Sequence, residues 1–116
     1  PIRQVQHQIH AEAATLEGVA DLAGRAGMTS RTFLRRFRAA TGMTPVEYLQ
    51  QVRIAKAREA LERTLLPVDR IAWDVGYSDA ATFRKLFQKL AGLPPAAYRQ
   101  QFGIAPEERA PNPAKG

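Results

Sequence analysis

Arg31, Leu34, Arg35 and Arg38 recur at three- and four-residue steps, which on an α-helix puts them on one face. Fifty residues later Ala81, Arg84, Lys85 and Gln88 occupy the same rhythm. The chemistry open to such a face is recognition. An arginine fork can hold guanine through two hydrogen bonds, and Leu34 or Ala81 can touch a thymine methyl. Arg38 and Gln88 suit backbone phosphates, contacts that position a protein without specifying sequence. A single basic helix face reads equally well as solvated surface. Two faces in matching register are harder to explain that way.

The match extends well beyond the charged positions. Val19, Leu22, Ala23, Gly27, Phe33, Phe37, Gly42, Pro45, Tyr48 and Gln51 reappear as Val68, Ile71, Ala72, Gly76, Phe83, Phe87, Gly92, Pro95, Tyr98 and Gln101. The offset is 49 up to the first glycine of each copy and 50 after it, so one residue is inserted beside that turn. A period of this length marks a repeated piece of architecture. Its layout is a helix, a glycine-containing turn and a second helix. Ala23 and Ala72 each stand four residues before the turn glycine, where a small side chain lets two helices cross closely.

The elements that must hold these faces are all helical, about seven in number, and no stretch alternates at period two. Ile2, Val5 and Ile9 predict a short amphipathic helix over residues 2–13. Thr15 is expected to cap the next helix, with Glu17 near its positive end and Val19, Leu22, Ala23 and Ala26 buried. Thr29 caps a helix reaching about Thr41, on which Phe33, Phe37 and Ala40 form the inner face. Thr44, Pro45 and Glu47 are a capping box with proline at the first helical position, opening a long helix to about Arg63. In the second copy helices are expected over Val68–Val75 and Ser78–Leu90, with Ser78 as cap. Phe83, Leu86, Phe87 and Leu90 form its inner stripe, and Pro95 opens a last short helix through Phe102. Amide groups beside the caps Thr29 and Ser78 are candidate phosphate contacts. The domain organisation that follows is an N-terminal helix or linker over 1–14, a first unit with its long helix over 15–63, a second unit over 64–102 and a flexible tail over 103–116.

Spacing supplies a geometric condition. Nineteen residues from Pro45 to Arg63 span roughly 28 Å at about 1.5 Å each. Major-groove openings on one side of a duplex recur about every 34 Å. A rod of that length could hold both basic helices in adjacent grooves.

Bulk composition agrees with this reading. In 116 residues, Lys and Arg outnumber Asp and Glu by 17 to 11, and the sequence pI is near 10.3. Such a balance favours a polyanionic partner. Hydrophobic content of 45% is enough for a packed core, and the absence of cysteine excludes a disulfide framework or a thiolate metal site. No apolar run approaches the roughly 18 residues of a membrane span, and none reads as a secretory leader. Beginning at Pro1 rather than Met, the chain reads as a fragment of a longer protein.

The strings GMTSRTFLRRFRAATGMTPVEYL and IAWDVGYSDAATFRKLFQKLAGLPPAAYR together resemble the DNA-binding domain of the AraC/XylS family of bacterial transcriptional regulators, over about residues 15–102. The resemblance implies seven helices, two helix-turn-helix units joined by a long linker helix, double-stranded promoter DNA as partner, and no cofactor. It implies base contacts from Arg31, Leu34 and Arg35 in the first unit and from Ala80, Ala81, Arg84 and Lys85 in the second. Cytoplasmic location, RNA polymerase as a further partner, activator action and an effector or dimerisation domain upstream are further implications. Two departures stand out: Ala80, Ala81 and Leu34 occupy places where relatives often carry longer polar side chains.

Other constellations carry less. His7 and His10 could share a helix face, but only Glu12 stands near as a third metal ligand, so both are read as ordinary histidines. Trp73 invites base stacking, yet its place on the supporting helix favours packing against a neighbour. Tyr48 and Tyr98 follow prolines at matching places and read as structural. No Ser, His and carboxylate arrangement suggests a triad, and no glycine loop suggests phosphate binding, so no catalysis is expected. The competing functional class is a helical protein-interaction module docking on an acidic partner, such as an RNA polymerase subunit.

Overall fold

The computed structural model describes residues 2–16 and 20–104, and every regular element among them is helical. In chain order these are α1 (Ile2–Glu12), α2 (Ala20–Arg25), α3 (Ser30–Thr41), α4 (Pro45–Arg63), α5 (Val68–Asp74), α6 (Ala80–Ala91) and α7 (Pro95–Phe102). Packing divides the chain into two units, Pro1–Arg53 and Ile54–Gly116, with the division inside α4. The three-four rhythm of buried α4 residues breaks at the same place: Leu49 and Val52 belong to the first core, Ile54, Ala57 and Leu61 to the second.

The first core gathers Val5, Ile9 and Ala13 from α1 and its end, Leu22 and Ala23 from α2, and Phe33 and Phe37 from α3. The N-terminal helix is therefore a wall of this unit. Arg53 locks it down from α4, donating from Nε to the Ala13 carbonyl at 2.7 Å and from Nη2 to the Leu16 carbonyl at 2.6 Å. Those carbonyls lie where α1 has ended, and a charged donor there is roughly twice as strong as a neutral one. The second core gathers Ile71, Ala72, Val75, Phe83, Phe87 and Tyr98. It has an arginine in the same office: Arg99 donates to the carbonyls of Leu61 and Thr64 at the end of α4.

The repetition is visible at the level of single contacts. Phe37 meets Tyr48 edge-on at 5.4 Å, and Phe87 meets Tyr98 edge-on at 5.4 Å. Both tyrosines thus sit in packing roles. The Tyr48 hydroxyl is 2.9 Å from His10 Nε2, and the Tyr98 hydroxyl donates to Glu62. Gly42 and Gly92 end α3 and α6 in the left-handed conformation, and the capping box Thr44–Glu47 closes reciprocally at 3.0 and 3.1 Å.

The Thr15 hydroxyl donates to the Glu12 carbonyl, closing α1, and residues 17–19, over which its capping of the next helix is expected, lie outside the described residues. Three local expectations are corrected. Ala40 is exposed, because Phe33 and Phe37 already fill the narrow inner face of α3. Trp73 is 67% exposed, so its ring does not pack as expected. α6 starts at Ala80 with Asp79 as its cap, so Ser78 lies before it. Glu17, Val19 and the tail beyond Ile104 lie outside the described residues.

Candidate nucleic-acid interface

Each unit builds its interface from a short helix, a turn and a longer helix. In the first, α2 presents Leu22 and Ala23 to the core, with Ala23 only 3% exposed at the crossing with α3. The turn closes through the Gly27 amide to the Gly24 carbonyl and the Met28 amide to the Ala23 carbonyl, both at 3.0 Å. The second unit repeats both bonds, from Gly76 to Trp73 and from Tyr77 to Ala72. Gly27 and Gly76 take φ of 69° and 113°, a region that costs an L-residue with a side chain roughly 1–2 kcal/mol. Glycine stands there for its backbone freedom: a Cβ on Gly27 would meet nothing within 4 Å.

The inserted residue can now be placed. The Phe33 amide bonds to the Thr29 carbonyl, and the Phe83 amide bonds to the Asp79 carbonyl, so Thr29 and Asp79 are counterparts. Met28 pairs with Tyr77 by the turn bonds, which leaves Ser78 as the extra residue. Thr29 accepts from the Thr32 amide at 3.2 Å, and Asp79 accepts from the Ala81 amide at 3.1 Å and from the Thr82 hydroxyl at 2.6 Å. Those two donors, the Thr82 hydroxyl first, hold the Asp79 carboxyl below its ordinary value. The start of α6 thus carries a fixed anion, while the start of α3 carries a neutral cap. A phosphate is electrostatically welcome at α3 and opposed at α6.

Outer faces follow from inner ones. With Phe33 and Phe37 buried, Arg31, Leu34, Arg35 and Arg38 are exposed along α3. Among the described residues these three arginines form no ion pair. Leu34 is 45% exposed and lines a shallow apolar crevice of about 250 Å³ with Phe33, Pro45 and Val46. On α6, with Phe83 and Phe87 at 0% exposure, Ala81, Arg84, Lys85 and Gln88 are exposed, and Ala80 is half-buried. Thr29 and Ser78 are exposed at the two turns.

Two residues that the sequence reading passed over belong to this surface. Asp79 caps α6, and the 50-residue offset would have found it by alignment with Thr29. Asp69 on α5 accepts from Arg84 Nη2 at 2.6 Å, tying a supporting helix to the outer face of α6.

Two helix-turn-helix units, each with an exposed cationic or polar face on its second helix, define a DNA-binding domain. Residues 22–101 match the family model described as Helix-turn-helix domain, and the chain belongs to that family in its AraC/XylS form. The chain is 37% identical over 90 residues to the HTH-type transcriptional activator RhaS of Escherichia fergusonii, and 36% identical over 80 residues to the MmsAB operon regulatory protein of Pseudomonas aeruginosa. These matches cover 78% and 69% of the chain but only 31% and 26% of the relatives, so the chain spans under a third of their length. Among solved structures it resembles the DNA-binding domain of AdpA, a global transcriptional factor in complex with a target DNA, at TM-score 0.84 and 33% identity, covering 97% of both chains. It also resembles the C-terminal domain of AraT, a response regulator from Geobacillus stearothermophilus, at TM-score 0.85 and 25% identity, covering 90% and 88%.

Proposed function

We propose that this chain binds a specific site in double-stranded promoter DNA and so regulates transcription, as part of a longer bacterial regulator. In this reading α3 and α6 each enter a major groove, and the two grooves are successive openings on one side of the duplex. The single observation that carries it is the contact-by-contact duplication of the two units: turn bonds, positive-φ glycines at the turns and helix ends, and edge-on aromatic pairs all recur. Duplication of the scaffold with divergence of the exposed face is what reading two different half-sites requires.

Roles divide by chemistry. Arg31 and Arg35 read bases from α3, with Leu34 as an apolar contact to a thymine methyl. Arg84 and Lys85 read from α6, where Ala80 and Ala81 leave room for close approach but offer no hydrogen bond. Thr29 and its first-turn amides, Arg38, Gln88 and the exposed Ser78 hydroxyl contact phosphates. The Asp79 anion shifts the heavier phosphate contact to the first unit. The unbroken run of α4 from Pro45 to Arg63 supports the spacing, at roughly 28 Å against about 34 Å per duplex turn. An effector or dimerisation domain, RNA polymerase as a second partner, activation rather than repression, and action in the cytoplasm complete the reading for the intact protein. Among the described residues no helix is long and apolar enough to cross a membrane.

Selection of bound duplexes from a random library tests this directly. Two blocks of base preference with centres about 10 base pairs apart are expected, with affinity in the 10⁻⁸ M range or tighter. Retention without any base preference would replace this reading with that of a basic module docking on an acidic partner.

A further inference from the structure

Arg84 is the one proposed reading residue that the fold already holds. Its Nη2 donates to Asp69 Oδ1 at 2.6 Å, although both side chains are more than half exposed. Exposed pairs of this kind contribute little to stability, so a role for it must be sought elsewhere. Asp69 is not recruited by a nearer cation on its own helix: the neighbouring Arg70 is already engaged by Asp74 at 3.0 Å. Asp69 lies in the first turn of α5, an element anchored by buried Ile71 and Ala72.

The repeat sharpens the point. Under the 49- and 50-residue offsets, Asp69 and Arg84 correspond to Ala20 and Leu34. One copy has an acid and a base at the two positions, and the other has two apolar residues. The charged partners occur together or not at all. In the second unit the carboxylate meets the only arginine on α6.

We propose that Asp69 is a positioning residue for DNA recognition, holding the Arg84 guanidinium in the orientation that reads a base from α6. This rests on the reading of Arg84 as a base contact. An arginine on an exposed helix samples many rotamers, and a base edge can use only a few of them. A carboxylate that accepts one Nη2 hydrogen restricts that search and leaves the other donors of the planar fork free. It also places a negative charge beside Arg84, which opposes a slide onto a neighbouring phosphate. Asp69 thereby trades some affinity for discrimination at one base pair, although it touches no DNA itself.

Base preferences of the parent chain, Asp69→Ala, Asp69→Asn and Arg84→Ala are compared by selection and by anisotropy titration on single-base variants of the chosen site. Thermal unfolding of each confirms the fold. Arg84→Ala is expected to lower preference at one base pair by about tenfold or more, as loss of a bidentate contact does. Asp69→Ala is expected to lower it at that same base pair by about three- to fivefold, leaving other positions unchanged. Asp69→Asn, which keeps an acceptor oxygen, is expected to restore most of the preference. If Arg84→Ala relaxes one position while Asp69→Ala relaxes none, or tightens all sequences alike, the positioning role is refuted and Arg84 stands as a reader. If Arg84→Ala weakens all sequences alike, both the role of Asp69 and the base-reading assignment of Arg84 are refuted together.

Discussion

At the scale of the residue, arginines on one helix face are not equivalent, and their difference is measurable. Arg35 lies in the middle of α3 and Arg38 toward its end, both exposed and without an ion pair among the described residues. Arg35→Ala is expected to cost about 1–3 kcal/mol of discrimination at one base pair, whereas Arg38→Ala should weaken all sequences alike and reduce the salt slope by about one. Anisotropy titrations on cognate and single-base variants at several salt concentrations separate the two. The caps offer a second contrast. Asp79 has its carboxyl value depressed by the Thr82 hydroxyl and the Ala81 amide. A depressed value in the folded state means stabilisation that is whole above the unfolded value and lost as pH falls through the folded one. Asp79→Ala should therefore be less stable than its parent at neutral pH, with the gap narrowing in acid. Thr29→Ala, which removes a neutral cap, should lose about 1 kcal/mol with no such narrowing. Urea unfolding across the acid range reports both. The outer-face residues were legible because helical periodicity and the repeat agree on them. The Asp69–Arg84 pair was not, since fifteen residues separate the partners and no local spacing links them. Trp73 was misjudged for want of one step: its counterpart is the exposed Gly24.

At the scale of the element, turn chemistry is what makes each unit specify its own geometry. Gly27 with φ 69° and, two residues on, the cap Thr29 with its backbone already extended turn the chain from α2 into α3 within four residues. Gly27→Ala places a methyl in open space but in a backbone region that disfavours it. A loss of about 1–2 kcal/mol is expected, with Gly27→Asn losing less, because asparagine tolerates that region better. Thermal unfolding of the pair checks it, and an equal loss for both would mean that space, not backbone, sets the requirement. These signals are the kind that sequence displays well. The glycines, the Thr44–Pro45–Glu47 start and the end of α4 at Arg63 all stand where they were expected. The failures cluster where two local solutions compete. Ser78 and Asp79 are both good caps, and only the hydrogen-bond register shows which residue was inserted. Thr15 could close the helix before it or open the one after it, and its hydroxyl joins the Thr15 and Leu16 amides on the Glu12 carbonyl. The arginine locks at Arg53 and Arg99 bond to carbonyls 35–40 residues away, and no pattern in the chain announces such distant acceptors.

At the scale of the molecule, the net charge of +6 draws the chain to any duplex, so specificity must come from requiring both helices at once. Two cores, each closed around its own pair of phenylalanines, keep the two recognition units individually rigid. Between them runs α4, which contributes buried residues to each core and contains no glycine or proline after Pro45. If α4 acts as a stiff spacer, the phase of the two half-sites matters as much as their sequence. Inserting about five base pairs between the halves rotates one of them by half a duplex turn, to the far side of the DNA. The parent chain should then fall from specific affinity toward that of a single unit, a loss of tenfold to a hundredfold or more within the usual range between specific and non-specific binding. Loosening the spacer supplies the control. Ala55 and Glu59 are exposed on α4, and the double substitution Ala55→Gly, Glu59→Gly costs up to about 1 kcal/mol of helix preference at each position without touching either core. That variant should bind the native spacing more weakly than the parent but suffer less from the insertion. Gel-shift titrations of both proteins on both duplexes decide the matter. Equal binding of the parent to the two spacings would show that the units search the DNA independently and that α4 sets no phase.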